Sequence, residues 1–179
     1  TFVIAHMGGG TTLDLHCKGK VIDGVSDDFG PFSPTRMGSV PGYSLVKLAL
    51  HWNGDEASLM KKLQRESGLF AYFQTTDLRK VEEMADSGDV QAKTVLDALS
   101  LAIAKSIGSL SIVVGGKVDA IILTGGMAYS KRLVRDIEKK VCFIAPVVVS
   151  PGENEMKALA GGAARAIASG EIHTYQKNI

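Results

Sequence analysis

The order of strand-like and helix-like patterns is the feature that most restricts how this chain can fold. Residues typical of strands occupy positions 1–6, 11–17 and 21–25, and the short turns between them predict a three-stranded antiparallel meander. From residue 118 onward the pattern becomes strand, helix, strand and helix. A meander followed by parallel crossovers predicts a mixed α/β sheet with helices packed on its faces.

Helical periodicity fills the middle of the chain and returns around the last two strands. The longest predicted helix spans 89–114 and places apolar residues from Val95 to Val114 on one stripe. Further helices are predicted over 43–52, 55–67, 75–88, 130–141 and 153–170, and buried strands over 118–126 and 145–152. The tail from 171 to 179 carries no clear signal.

A Pro- and Gly-rich stretch, SDDFGPFSPTRMGSVPG at 26–42, separates the meander from the helices. This composition resists helix and regular strand, and a loop of this length in a compact domain is usually functional or disordered. Arg36, presented by a rigid Pro-rich loop, could meet phosphoryl oxygens through its planar guanidinium. Asp27 and Asp28 head the loop and are interpreted as caps or solvated turn residues.

Composition narrows the class of protein. The chain has 179 residues with 45% hydrophobic and 22% charged residues, as expected of one globular domain. Its net charge of +1 gives no sign of a surface for nucleic acid or anionic membrane, and no apolar run is expected to span a bilayer. No signal peptide is apparent, and Cys17 and Cys142 lack metal-ligand spacing, so we expect a reduced, cytoplasmic protein.

Three Gly-rich turns follow predicted strands: HMGGGTT at 6–12, LTGGMAYS at 123–130 and SPGENE at 150–155. Ligands of open α/β sheets bind where strands end, and glycine lets backbone N–H groups approach a phosphate. None of the turns matches the P-loop or the dinucleotide fingerprint. Taken alone, the first is most simply a hairpin, and the second is equally a tight turn or a ligand site.

Charged and titratable side chains stand beside these turns. His6 ends the first strand and, with Arg36, is a candidate for contact with a transferring phosphoryl group, although a hydrogen-bonded structural histidine is the alternative. Glu153 and Glu155 fall at a predicted helix N-terminus, where the helix dipole alone could account for them. As ligands, one of them would bind Mg²⁺ through water, since Mg²⁺ prefers few carboxylates and retains its waters.

Four segments in this order resemble the butyrate kinases: HMGGGTTLDLHCKGKVID, GPFSPTRMG, LTGGMA and PGENEMKALAGGAARAI. Butyrate kinases are a branch of the acetate kinase family, within the superfamily of sugar kinases, heat-shock ATPases and actin. The resemblance implies a ribonuclease H-like (actin-like ATPase) domain, with a mixed sheet and helices on both faces. Residues 1–179 would be a single domain similar to the C-terminal domain of a two-domain acyl kinase, whose N-terminal domain would be absent.

The resemblance also implies a reaction and its site residues. ATP and a short-chain carboxylate, butyrate or a branched analogue, would give ADP and an acyl phosphate. His6 and Arg36 would be the catalytic residues. The cofactor-binding residues would be Gly8, Gly9, Gly10 and Thr11 at the phosphates, and Gly125, Gly126 and Met127 at the adenosine. Mg²⁺ would be served by Glu155, with Glu153 as the nearby alternative.

The sequence departs from the family pattern at several points, and the resemblance also implies binding partners. Met37 stands where the resemblance leads us to expect a small residue, and the superfamily's other phosphate hairpin and interdomain Asp are not found here. We therefore expect weak nucleotide binding and little turnover from this chain alone. Its partners would be the missing N-terminal domain and a second copy in a homodimer. Another ATPase or sugar kinase of this fold, or a non-catalytic dimerisation domain, are the alternative functions.

Overall fold

A five-stranded mixed sheet organises the chain in the computed structural model, which describes residues 1–152 and 155–170. The strands are β1 (Phe2–Met7), β2 (Thr11–Cys17), β3 (Lys20–Val25), β4 (Ala120–Gly125) and β5 (Val147–Pro151). Their spatial order is β3-β2-β1-β4-β5. The first three strands pair antiparallel, and β4 and β5 run parallel to β1. The predicted meander and the predicted parallel crossovers are both confirmed.

Helices connect the strands and continue beyond the last one. The described residues form α1 (Gly42–Leu50), α2 (Glu56–Arg65), α3 (Gly68–Phe73), α4 (Leu78–Asp86), α5 (Val90–Val113), α6 (Lys131–Val141), α7 (Glu155–Ser169) and a 3-10 helix (Gly126–Tyr129). Helices α2, α4, α5 and α6 begin where Asp55, Asp77, Asp89 and Ser130 accept a hydrogen bond from a first-turn N–H. Helix α3 was not predicted, because six residues are too few to display a helical period.

The core lies between one face of the sheet and helix α5. Alternate residues of the central strands are fully buried and in register: Val3, Ala5 and Met7 of β1, Leu13 and Leu15 of β2, and Ile121 and Leu123 of β4. Because side chains alternate across a strand, these residues form one continuous apolar face. Leu99, Ile103 and Ile107 of α5 are fully buried in the same cluster. Helices α4 and α6 pack against α5.

The opposite face of the sheet is more polar and partly exposed. His6 pairs in register with Thr12 on one side and Thr124 on the other, and Thr124 pairs with Ser150. These four residues form a row across the carboxyl end of the parallel strands, which we call the polar row. Residues 156–169 of α7, which follows β5, are mostly exposed. The polar row lies directly before the predicted glycine turns.

Helix α5 is long and apolar enough to cross a membrane by length and composition, which differs from the prediction that no run reaches such a length. Half of its most apolar window is nevertheless buried inside the protein. Its buried positions recur along one side, which faces the sheet and the neighbouring helices. We therefore interpret α5 as the core helix of the domain.

Gly125 allows the ends of β4 and β1 to approach closely. Its φ is +87°, and a Cβ added there would lie 2.6 to 2.8 Å from backbone atoms of Met7. A side chain would be strained by the φ and blocked by the neighbouring strand, so the position requires glycine. Gly126, the next residue, has no atom within 4 Å of an added Cβ.

We predict that Gly125→Ala lowers the free energy of unfolding by about 2 to 4 kcal/mol, because it combines a strained φ with overpacking against β1. Gly126→Ala is the matched control and should change stability by less than about 1 kcal/mol. Urea denaturation followed by circular dichroism measures both. Equal midpoints for the two variants would show that the close approach of β4 and β1 tolerates a side chain.

Candidate active site

A cleft of about 610 Å³ opens at the carboxyl end of the parallel strands. Gly8 and Gly9 of the β1–β2 turn form one wall, and Gly126 and Met127 of the 3-10 helix form another. The remaining walls are Pro34 and Thr35 of the long loop, Thr76, Asp77, Leu78, Arg79 and Glu82 around the start of α4, and Tyr129, Ser130 and Lys131 before and in α6. The volume lies in the range of small-molecule sites. Two of the three predicted glycine turns therefore meet at one cavity.

The β1–β2 turn presents backbone rather than side chains to the cleft. The Gly8 N–H donates to the Gly10 carbonyl across 2.8 Å, which closes the turn. Gly9 has open space where a side chain would be, whereas a Cβ on Gly10 would lie 2.9 Å from Asp27 Oδ2. Thr11 is fully buried, and its hydroxyl has no hydrogen-bond partner among the described residues. Its side chain faces the core, so only its backbone is available to a ligand at the cleft.

The Pro-rich loop is ordered and attached to this turn. The Gly9 carbonyl accepts hydrogen bonds from Ser33 Oγ at 2.7 Å, Thr35 Oγ1 at 2.9 Å and the Thr35 N–H at 3.2 Å. On its other side, the loop accepts bonds from the start of α3: Leu69 N–H donates to the Ser33 carbonyl, and Phe70 N–H to the Pro34 carbonyl, each at 3.1 Å. We call the three bonds to Gly9 the Gly9 clamp. The loop therefore has a fixed position relative to the glycine turn.

Arg36 follows the Gly9 clamp, and its backbone N–H donates to Ser33 Oγ at 3.1 Å. Its Nε lies 2.9 Å from Asp27 Oδ2, and the two side chains are 30% and 25% exposed. The Nε–H does not point along this line, so the contact is an ion pair rather than an aligned hydrogen bond. Asp27, interpreted from the sequence as a cap or solvated turn residue, is instead the partner of the loop arginine.

The two predicted catalytic residues adjoin the cleft through the glycine turn. His6 is half-buried in the polar row, two residues before Gly8. Arg36 is joined to Gly9 by its loop. Neither side chain lines the 610 Å³ cavity itself. Both candidates are thus connected to the glycine turn that forms one wall of the cleft.

The predicted adenosine residues differ in their placement. Gly126 and Met127 line the cleft, while Gly125 lies against β1 and its carbonyl accepts the Gly152 N–H at 3.1 Å. Glu153 lies outside the described residues, as does the side chain of Glu155, whose backbone begins α7. In the described part of the chain, no three His, Cys, Asp or Glu side chains are close enough to hold a metal ion. The assignment of Mg²⁺ ligands stays a prediction.

Asp77 and Arg79 are cleft residues that the sequence analysis missed. Asp77 Oδ1 accepts the Arg79 backbone N–H at 3.1 Å, and the Arg79 side chain donates from Nε at 2.9 Å and from Nη2 at 2.8 Å to the two carboxylate oxygens. The Arg79 hydrogen bond is the main reason that the pKa of Asp77 lies below its usual 3.8, and Asp77 raises the pKa of Arg79. The sequence signal was an Asp before a helical run, which predicts a cap but not its proximity to the glycine turns.

Acidic and basic side chains both line the rest of the cleft. Glu82 accepts a hydrogen bond from Ser130 Oγ, which in turn accepts the Leu133 N–H at the start of α6. Glu82 is thereby occupied in joining α4 to α6. Lys131 forms no ion pair with the described residues, so it adds an uncompensated cation to the cavity wall. An anionic ligand would meet this charge beside the backbone of the glycine turn.

Comparison with known proteins gives one family match and several structural matches. A family described as the Acetokinase family matches residues 1–161. A propionate kinase from Francisella tularensis subsp. tularensis SCHU S4 has a TM-score of 0.73 and 21% identity over 83% of this chain and 46% of that chain. Acetate kinases from Porphyromonas gingivalis and Entamoeba histolytica have TM-scores of 0.80 and 0.79 at 20% and 18% identity, over 91% of this chain and 48% and 51% of theirs.

These comparisons identify the fold and show how much of the length of each related structure this chain spans. The fold is the actin-like ATPase fold that the sequence resemblance implied. The chain spans about half the length of these solved structures. At such identities the structural likeness concerns the fold alone, so the chemistry of the cleft is argued from its own residues.

We predict that Asp77→Asn makes the protein less stable at neutral pH. The stability of the variant should also change less than that of the wild type as the pH is lowered. A carboxyl with a lowered folded-state pKa contributes stability above its usual 3.8, and this stability is lost as pH falls through the lower folded-state value. The deficit of the variant in urea midpoint should therefore be largest at pH 7 and shrink toward pH 3. Glu138→Gln, at an exposed site of α6, is the control. A deficit that is equal at both pH values would contradict a charge-based role.

Proposed function

The chain belongs to the acetokinase family, and from this we propose that it is the C-terminal half of a carboxylate kinase that forms an acyl phosphate from ATP. A carboxylate oxygen would attack the γ-phosphorus, the bond to the β-γ bridging oxygen would break, and ADP would leave. The observation that carries this proposal is the attachment of the Arg36 loop to the glycine turn through the Gly9 clamp. This arrangement fixes the loop that carries a cation beside a surface made of backbone.

ATP suits the cleft by shape and charge. Gly9 and Gly126 leave open space at two of the walls, which lets a flat base or a phosphate approach the backbone there. Lys131 supplies positive charge on another wall, whereas the charge of Arg79 is paired with that of Asp77. We infer that the adenosine lies along Gly126 and Met127 and that the phosphates extend toward Gly8, Gly9 and Gly10. Mg²⁺, when bound through Glu155 or Glu153, would neutralise phosphate charge.

The transferring group would lie beyond the glycine turn, where His6 and Arg36 are. Phosphoryl transfer depends on positioning and charge neutralisation more than on covalent catalysis. Arg36 can neutralise the equatorial oxygens through its planar fork, and His6 can donate a hydrogen bond to the same group. The hydroxyls of Thr12, Thr124 and Ser150 in the polar row would extend this hydrogen-bonding surface across the sheet.

We propose butyrate or a branched short-chain acid as the substrate, on the basis of the GPFSPTRMG and PGENEMKALA segments. The acyl pocket would draw residues from the part of the protein that lies outside this chain, since the structural relatives are about twice as long. That part, together with a second copy in a homodimer, would be the chain's partners in the cytoplasm. Phosphorylation of a sugar but of no carboxylate would instead favour a sugar kinase of this fold.

We predict that the full-length protein forms acyl hydroxamate from butyrate, ATP and hydroxylamine, and that Arg36→Ala lowers kcat by at least about 1000-fold, as expected for an arginine that neutralises a phosphoryl group. Arg36→Lys should recover part of the rate, because it keeps the charge but loses the fork. Arg135→Ala, at an exposed arginine of α6, is the control. Unchanged turnover in Arg36→Ala would refute the role given to Arg36 and favour a non-catalytic domain.

We also predict that residues 1–179 alone turn over little or no substrate. The chain holds one side of the proposed site, and catalysis requires both sides to enclose the phosphates. The same hydroxamate assay on the isolated chain and on the full-length protein at equal concentration provides the comparison. Similar rates from the two samples would mean that this chain contains the whole site.

A further inference from the structure

We propose that Asp27 is a positioning residue for Arg36: it holds the guanidinium beside the glycine turn and leaves the terminal amino groups for a bound anion. The inference rests on the proposed function for the task given to Arg36, and on the structure for the contact. The contact links three places that are separate in sequence. These are the glycine turn at Gly10, the head of the loop at Asp27, and the arginine nine residues later.

The Asp27 side chain lies between the glycine turn and the Arg36 guanidinium. A Cβ added to Gly10 would lie 2.9 Å from Asp27 Oδ2 and 3.2 Å from Asp27 Cβ, so the aspartate packs directly on the turn. The same Oδ2 lies 2.9 Å from Arg36 Nε. One carboxylate oxygen therefore lies beside the glycine turn proposed for phosphate and contacts the cation proposed to neutralise it.

The backbone of Arg36 is fixed, but its side chain depends on Asp27. The Gly9 clamp and the Ser33 hydroxyl hold the loop, and these bonds end at the backbone of residue 36. Beyond Cβ, Asp27 is the only hydrogen-bonding or charged partner of the guanidinium among the described residues. A free arginine side chain samples many rotamers, and one fixed contact removes most of that freedom.

The position of the Asp27 contact on the guanidinium determines which of its nitrogens remain available to a bound anion. Asp27 approaches Nε, and in the described part of the chain the two terminal nitrogens form no hydrogen bond. Those nitrogens make up the outer edge of the guanidinium, which can pair with two oxygens of a phosphoryl or carboxylate group. At 25% and 30% exposure, the pair is shielded enough to persist without being sealed from ligand.

Asp28 provides a matched comparison within the same loop. It is exposed, and its side chain forms no ion pair with the described residues. Its backbone N–H donates to Ser26 Oγ at 3.3 Å, a bond that is independent of the carboxylate. Replacing either aspartate with asparagine removes one negative charge, but only position 27 touches Arg36.

The test is kinetic and uses the full-length protein with Asp27→Asn, Asp28→Asn, Arg36→Ala and the double variant Asp27→Asn/Arg36→Ala. We expect Asp27→Asn to lower kcat for acyl phosphate formation by roughly 10- to 100-fold, the effect of displacing a catalytic group by about 1 Å. The KM for ATP should stay nearly unchanged, because Asp27 does not line the nucleotide cleft. Asp28→Asn should match the wild type, and the double variant should be no slower than Arg36→Ala.

Two kinetic results would overturn the proposal: a wild-type kcat in Asp27→Asn, or a full Asp27→Asn effect in the Arg36→Ala background. Crystal structures of the wild type and Asp27→Asn give a readout that is independent of activity. We expect the Arg36 guanidinium to leave the glycine turn in the variant, and an unmoved guanidinium would refute positioning. Asp27→Ser, which adds no volume, replaces Asp27→Asn if that variant unfolds at lower temperature. If the wild type phosphorylates no carboxylate, the proposed function fails, and the crystal comparison still decides the role of Asp27.

Discussion

The backbone contact between Met7 and Gly125 is the constraint on which the rest of the structure depends. It occurs where the central strands β1 and β4 end side by side, and only a residue without a side chain permits it. Because both strands leave the sheet at this point, the glycine turn and the 3-10 helix form two walls of one cleft. A wider separation of these strand ends would move the two walls apart. The site is therefore a consequence of the parallel pairing at the centre of the sheet.

The hydrogen-bonding capacity of one carbonyl then brings the long loop into the site. The Gly9 carbonyl accepts two hydroxyls and one N–H from Ser33 and Thr35. The loop has internal hydrogen bonds, such as those from the Gly30 N–H to the Ser26 carbonyl and from the Ser39 N–H to the Gly30 carbonyl, each at 2.8 Å, but its position in the domain comes from partners outside it. Here the glycine turn lies on one side and α3 on the other, and both are far from the loop in sequence. The position of the loop is thus a tertiary property.

The sequence predicted what depends on local patterns. The alternation in 11–17 and the long apolar stripe of α5 each result from interactions within a few residues, so they can be recognised without the fold. The pairing of Asp27 with Arg36 and the entry of Arg79 into the cleft depend on distant segments meeting. No local pattern distinguishes such a carboxylate from an ordinary turn or cap residue.

The cleft joins segments that are far apart along the chain: residues 8–9, 34–35, 76–82 and 126–131. Most of its walls are attached to the sheet or to helices that α5 packs against. Contacts between such distant segments form late and slowly when a chain folds. A partly folded chain could hold the meander without holding the site. The cavity consequently exists only when the whole domain is folded. Ligand binding there would therefore stabilise the entire fold rather than one loop.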